Sequence, residues 1–417
     1  MNQSKLMNRN FTMVVIGQII SLFGNTIIRY ALPIYLLNQT HSAALFGTVS
    51  ACSFLPMILL APVGGIIADR VNKRNIMVVL DFITAVIVAV LLLTIGKLSL
   101  IPLLIVTLML LFGIQGAYQP AVQASIPALE DAVHLNSANA IINMVNSLAG
   151  ILGPVIGGVI YASFGLRPIL YIGVICFLCS SLMEVFIQIP FEKREQEMGI
   201  LAIAKNDMGD SIHFITHEKP IILKVCILIA VINMVFSALL IVGIPVIITE
   251  MLGFEESVGN RLYGYAEGAL ALGGLIGGLF AGIRGSKLNL QKSWSLILLC
   301  SCALPMITLA VTFREIPMLS YGIVVAACCF MMIASTIFSV EMISYAQWVT
   351  PAEVLGKVMA LLSCLAMCSN PLGQIIYGFL FEKLASHVGS IFLGAFVICI
   401  VLTFISKKII ENIEPIS

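Results

Sequence analysis

Residues Gly64 to Asn75 read GGIIADRVNKRN, and this short polar break decides how the chain is folded. It ends one strongly apolar run and begins another, which confines Asp69 and three cations, Arg70, Lys73 and Arg74, to a hinge of a few residues. A degraded copy, GGLFAGIRGSKLN, starts at Gly277, half a chain further on, with Gly282 where the first copy has Asp69. One such hinge in each half points to an internal duplication.

Composition fixes the solvent. Of 417 residues, 60% are hydrophobic and 10% charged, against about 25% charged in a soluble domain. The chain is therefore expected to lie in a bilayer, and its net charge of +1 excludes a general nucleic-acid binder. The first apolar run carries Gln18, Asn25 and Arg29 and is followed at once by another, so it reads as a mature span and not a cleaved signal. The eleven cysteines fall almost entirely within apolar runs. Cys176-x-x-Cys179 has redox spacing, but without a second pair or a nearby histidine no metal or other cofactor is expected.

Crossing a bilayer takes about 20 apolar residues. Twelve runs qualify, near 11–37, 44–68, 75–96, 99–120, 137–164 and 168–190, then 221–250, 260–283, 292–313, 316–346, 354–383 and 387–407. The fold expected is all-α, with two pseudo-symmetric six-helix bundles over 1–190 and 221–417. A cytoplasmic linker over 191–220 separates them, with a short amphipathic helix near Met208–His217 lying on the membrane surface. With both termini inside, most lysines and arginines, including Lys5, Arg9, Arg70, Lys73, Arg74, Lys193, Lys219, Lys407 and Lys408, are cytoplasmic, while Lys97, Arg167, Arg261, Arg314 and Lys383 fall outside. The halves match elsewhere too. Leu32-Pro33-Ile34 answers Ile244-Pro245-Val246, Gln123-x-x-x-Pro127 after helix 4 answers Gln347-x-x-x-Pro351 after helix 10, and Pro154 answers Pro371, at nearly constant separation and in chain order.

At the hinge, Gly64 and Gly65 let helix 2 approach a neighbour. Asp69 can meet the positive end of a facing helix, Arg70 and Arg74 can hold it in register, and Asp81 in helix 3 can pair with Arg74. Helix 5 contains Gly150-x-x-Gly153-Pro154-x-x-Gly157-Gly158, a small-residue face around a proline, and helix 8 offers an answering row from Gly264 to Gly282.

The hinge strongly resembles the signature loop between helices 2 and 3 of the major facilitator superfamily. The resemblance implies a cytoplasmic latch made by Gly65, Asp69, Arg70, Arg74 and Asp81, a central cavity lined by helices 1, 4, 7 and 10, and alternating access. The glycine run of helix 5 is similar to that superfamily's antiporter motif, which implies export. Gly17-Gln18-x-x-Ser21-Leu22, Thr40-x-Ser42-Ala43 and Asp81 resemble the macrolide-efflux branch. One departure stands out: many proton-coupled drug exporters of the superfamily carry an arginine in helix 4, yet Ile101 to Pro127 contains neither Arg nor Lys.

Charges inside spans cost at least about 2.5 kcal/mol on insertion scales, so they face a cavity or a partner. Arg29, Glu267 and Glu341 are the ionisable candidates for coupling or substrate, with Arg29 and Glu267 at matching depth and able to pair. Gln18, Asn25, Gln115, Tyr118 and Asn233 are polar candidates that either contact substrate or bond to one another between helices. The function expected is secondary export of an amphipathic organic compound in exchange for protons, by a monomer in the plasma membrane. A lysophospholipid or siderophore transporter of the same fold is the second reading. No GxxxxGK[ST] loop is present to power a primary pump. An intramembrane enzyme lacks a convergent nucleophile and base, because His41, His134, His213, His217 and His387 fall in breaks between spans.

Overall fold

The computed structural model describes residues 8–131, 134–190, 213–284, 290–312 and 315–411; within these, the side chains of Pro62, Ile66, Asp69, Glu218, Ala352, Glu353 and Ala360 are not described. Most of the expected linker, 191–212, thus lies outside the described residues. Of its amphipathic helix only the end is seen, a π-helical turn over Phe214–Glu218 preceded by His213, whose ring stacks on His217.

Among the described residues, twelve helices are long and apolar enough to cross a membrane. They are α1 (Arg9–Thr40), α2 (Ala43–Arg70), α3 (Lys73–Thr94), α4 (Leu100–Leu129), α5 (Leu135–Phe164) and α6 (Leu166–Val185). Then come α7 (Pro220–Met251), α8 (Glu256–Arg284), α9 (Trp294–Thr312), α10 (Pro317–Val349), α11 (Ala352–Lys383) and α12 (Val388–Ile410). Local chemistry sets several ends. Asn72 caps α3 by accepting the Arg74 N–H at 3.0 Å, and Gly165, at φ 75°, turns the chain between α5 and α6 where a side chain would be strained. Pro220 and Pro317 open α7 and α10, where their missing N–H costs nothing.

Two extents differ from the sequence reading. Helix α4 does not stop near residue 120 but continues through Pro120 and Pro127 to Leu129, because neighbouring helices tolerate a proline kink inside a membrane bundle. Gln123 and Pro127 therefore lie on α4, not after it. Helix α6 ends at Val185, short of the expected residue 190.

The chain forms two compact units. The first takes the described residues of Met1–Thr40, Cys52–Ile200 and Asn260–Gly268. In it α3 packs on α6 and α4, and α1 packs on α5 and α6. Phe11, Val15, Ile126 and Ile142 form one buried cluster; Val14, Met77, Val122 and Ile187 form another. The second unit takes the described residues of His41–Ala51, Leu201–Gly259 and Ala269–Ser417, with α9 on α10 and α12 and α11 along α7. The pairings α3–α6 and α1–α5 recur as α9–α12 and α7–α11, as a duplicated sequence requires. Large apolar side chains such as Leu59, Phe164, Leu182 and Phe404 stay exposed on the helices, as lipid-facing residues do.

Candidate functional site

Helix α1 presents its polar side chains to α4 at intervals of about two turns, and the two helices bond across that seam. Asn25 donates to Gln115 Oε1 at 2.8 Å, half-buried. Deeper in, Gln18 donates to the Tyr118 hydroxyl at 2.6 Å, and Tyr118 donates to Glu184 Oε1 of α6 at 2.7 Å. Of the two roles open to these side chains in the sequence, the interhelical one is occupied. Ser21 donates to Asp81 Oδ1 at 3.0 Å, which brings α3 into the same cluster.

Asp81 consequently does not pair with Arg74. It is 3% exposed and turned toward α1, whereas the Arg74 guanidinium reaches Asn75 Oδ1 at 3.0 and 3.2 Å. Two helical turns separate the residues, and Asp81 faces the bundle core while Arg74 lines a cleft of about 960 Å³ with Arg9, Asn10 and Gln188. Asp69 is in the last turn of α2, with its side chain outside those described. Gly64 makes the close approach at this hinge, since a Cβ there would stand 2.6 Å from Ala117 Cα of α4; at Gly65 it would meet nothing within 4 Å.

Arg29 and Glu267 do not pair either. Among the described residues no ion pair joins them. The Arg29 guanidinium lies 3.8 Å from the centre of the Phe112 ring, and Phe54 packs edge-on against Phe112, 5.0 Å between centroids. Glu267 instead faces the Tyr263 hydroxyl, and Tyr263 stacks on Tyr30 at 5.1 Å. In the second unit, Ser293 donates to Glu341 Oε2 in a short hydrogen bond. Asn233 begins a π-helical turn in α7 and accepts from Ser237 at 3.1 Å.

The glycine run of α5 splits its contacts. At Gly153 a Cβ would fall on Thr26 Oγ1, Gly157 faces Tyr30 and Ile27, and a Cβ at Gly158 would stand 3.0 Å from Gly264 Cα. Pro154 offers its carbonyl to the same spot, 2.5 Å from a Cβ at Gly264, while Gly150 faces open space. On α8, Gly268 continues this contact onto Ile151 and Val155, but Gly273 and Gly277 pack on Cys329 and Ile333 of α10. The row of small residues on α8 therefore serves two neighbours.

Glu184 escaped the sequence reading, although an acid inside an apolar span was the signal that selected Glu267 and Glu341. It lies inside the expected span 168–190, so the signal was present in the sequence. Asn260 and Glu382 were also missed. Asn260 gathers Asn38 at 3.1 Å and the Tyr30 hydroxyl. Glu382 accepts the Ala44 N–H at 2.9 Å and the Ser42 hydroxyl, capping the start of α2. Among the described residues no group of three or more His, Cys, Asp or Glu could hold a metal ion.

Twelve apolar helices, buried polar rungs between them and duplicated packing define a polytopic membrane transporter. The chain matches the model of the Major Facilitator Superfamily over residues 14–368, and it belongs to that family. It is 25% identical over 392 residues to macrolide efflux protein A of Streptococcus pyogenes, covering 93% of both chains. It is also 27% identical over 162 residues to the staphyloferrin A transporter of Staphylococcus aureus, covering 38% of this chain and 41% of that one. In structure it resembles the D-xylose–proton symporter, with a TM-score of 0.72, 14% identity and 97% of each chain covered. It is a transporter and not an enzyme, with relatives named for macrolide efflux.

Proposed function

We propose that this transporter exports an amphipathic organic compound of the macrolide type, driven by proton entry. It acts as a monomer in the plasma membrane with both termini in the cytoplasm. The observation that carries this reading is the half-buried rung between Asn25 and Gln115, one turn from Arg29 on its Phe112 platform. It places exchangeable hydrogen bonds beside an aromatic wall, the pairing an amphipathic ligand needs. Similarity to macrolide efflux protein A over most of both chains supports the same substrate class. Asn233, Glu267 and Glu341 supply further substrate contacts, and Asp69, Arg70 and Arg74 form the cytoplasmic latch. Orientation rests on the distribution of lysine and arginine.

A second reading has its own support. Arg29 has no carboxylate partner among the described residues, so its charge is available to a phosphate or carboxylate, as a siderophore or lysophospholipid transporter requires. Everted vesicles decide between them. Under an imposed proton gradient, erythromycin accumulates if the first reading holds. Accumulation of a lysophospholipid or a carboxylate siderophore without erythromycin supports the second.

A further inference from the structure

The most deeply buried polar cluster of the first unit contains two carboxyls and no base. Asp81 is 3% exposed, Tyr118 3%, and Glu184 and Gln18 0%. Four helices close around them. Facing the carboxyls are Tyr118 from α4, Gln18 and Ser21 from α1 and Ser180 from α6, and among the described residues neither acid takes part in an ion pair.

The hydrogens of this cluster can be counted. Ser21 gives its proton to Asp81 Oδ1, Tyr118 gives its proton to Glu184 Oε1, and Ser180 gives its proton to the Gly17 carbonyl. Three buried atoms remain with no hydrogen-bond partner among the described residues: Asp81 Oδ2, Glu184 Oε2 and Gln18 Oε1. All three are acceptors. Two neighbouring carboxylates in a low-dielectric interior, with no cation between them, cannot both stay ionised. A hard metal ion wants six or more oxygen ligands, more than this cluster leaves free, whereas protons on the carboxyls convert orphaned acceptors into donors.

We propose that Asp81 and Glu184 together form the proton-binding site of this transporter, with Tyr118 and Gln18 as positioning residues that link its occupancy to the α1–α4 seam. This rests on the proton-coupled reading given above. When the pair is protonated, the four helices close over it, and the added protons turn orphaned acceptor oxygens into donors. When the protons leave, two like charges face each other and the cluster must admit water. That opening bears on Gln18 and Tyr118, whose helices carry the Asn25–Gln115 rung.

Two arms test the proposal on the full-length protein. In infrared titration of purified protein in H₂O and D₂O, protonated carboxyl bands are expected in the native protein and are expected to be diminished in both Asp81→Asn and Glu184→Gln; identical bands in all three overturn it. In everted vesicles, gradient-driven erythromycin accumulation is expected to fall in each variant to the level without a gradient, while erythromycin counterflow, which needs no gradient, persists. Native-level uphill accumulation in both variants at equal abundance overturns the assignment and leaves the exporter reading standing. A sodium gradient that drives accumulation where a proton gradient does not also overturns it. If neither variant inserts, Tyr118→Phe keeps the ring and removes the relay hydroxyl, and an unmoved pH profile of export then counts against the site. If the native protein shows no gradient-driven erythromycin transport, the coupling reading fails by itself, and the infrared arm alone decides whether the pair holds protons.

Discussion

The guanidinium of Arg29 lies 3.8 Å from the centre of the Phe112 ring and makes no ion pair with Glu267 among the described residues. A half-buried cation is thus stabilised by an aromatic face, and among the described residues its donors make no hydrogen bond. A desolvated contact of this kind contributes about 2 kcal/mol.

That arrangement makes a quantitative prediction. A double-mutant cycle between Arg29→Ala and Phe112→Ala should give a coupling of about 1 kcal/mol or more, whereas Arg29→Ala and Glu267→Gln should add independently. Thermal unfolding in detergent reads both cycles. A large Arg29–Glu267 coupling would show that the two charges do meet.

Substitution of the small residues should separate into two groups. Gly153→Ala and Gly264→Ala introduce a methyl against Thr26 Oγ1 and the Pro154 carbonyl, and overpacking of this kind costs about 1–3 kcal/mol. Gly65→Ala and Gly150→Ala meet nothing within 4 Å and should leave stability unchanged. Unfolding temperature and transport, measured together on the four variants, check the division.

At the cytoplasmic hinge, Asp69→Asn should cut export strongly while the amount of inserted protein stays normal. Arg74→Ala should not reproduce the Asp81→Asn phenotype, since Asp81 bonds to Ser21 on another helix. Export and abundance assayed side by side would expose either error.

The outer rung should report on substrate. Asn25→Ala and Gln115→Ala each remove a hydrogen bond worth about 1 kcal/mol, which corresponds to roughly a fivefold rise in the erythromycin concentration at half-maximal export. No change in that concentration would mean the rung is structural.

Much of the helical framework was legible because each span had to satisfy its own backbone and expose apolar side chains to lipid. The hinge from Gly64 to Asn75 and the glycine run of α5 could be read as motifs for the same reason: charges and small residues are rare inside membranes and stand out. Partnerships were harder. Asp81 was assigned to Arg74 by closeness along the chain, yet a helix turns its residues to different neighbours, and Ser21 on α1 took the contact. Helix 4 was expected to end near residue 120, while packed neighbours carry α4 past Pro120 to Leu129. Glu184 carried the right signal inside the expected span 168–190, but its partner Tyr118 sits on another helix, a pairing that chain order does not show.

Helix α7 is interrupted by π turns at Asn233–Ser237 and Val246–Met251, where each carbonyl bonds one residue further along than usual. A π turn holds an extra residue, so it can migrate or anneal into the regular ladder and thereby rotate everything beyond it about the helix axis. The first of these turns begins at Asn233 itself. An α-to-π exchange there would swing the Asn233 amide and the Phe236 ring around the rod by a fraction of a revolution, without any loop to bend. Slack of this kind, stored in the winding itself, would let the middle of α7 rotate while its two ends keep their places.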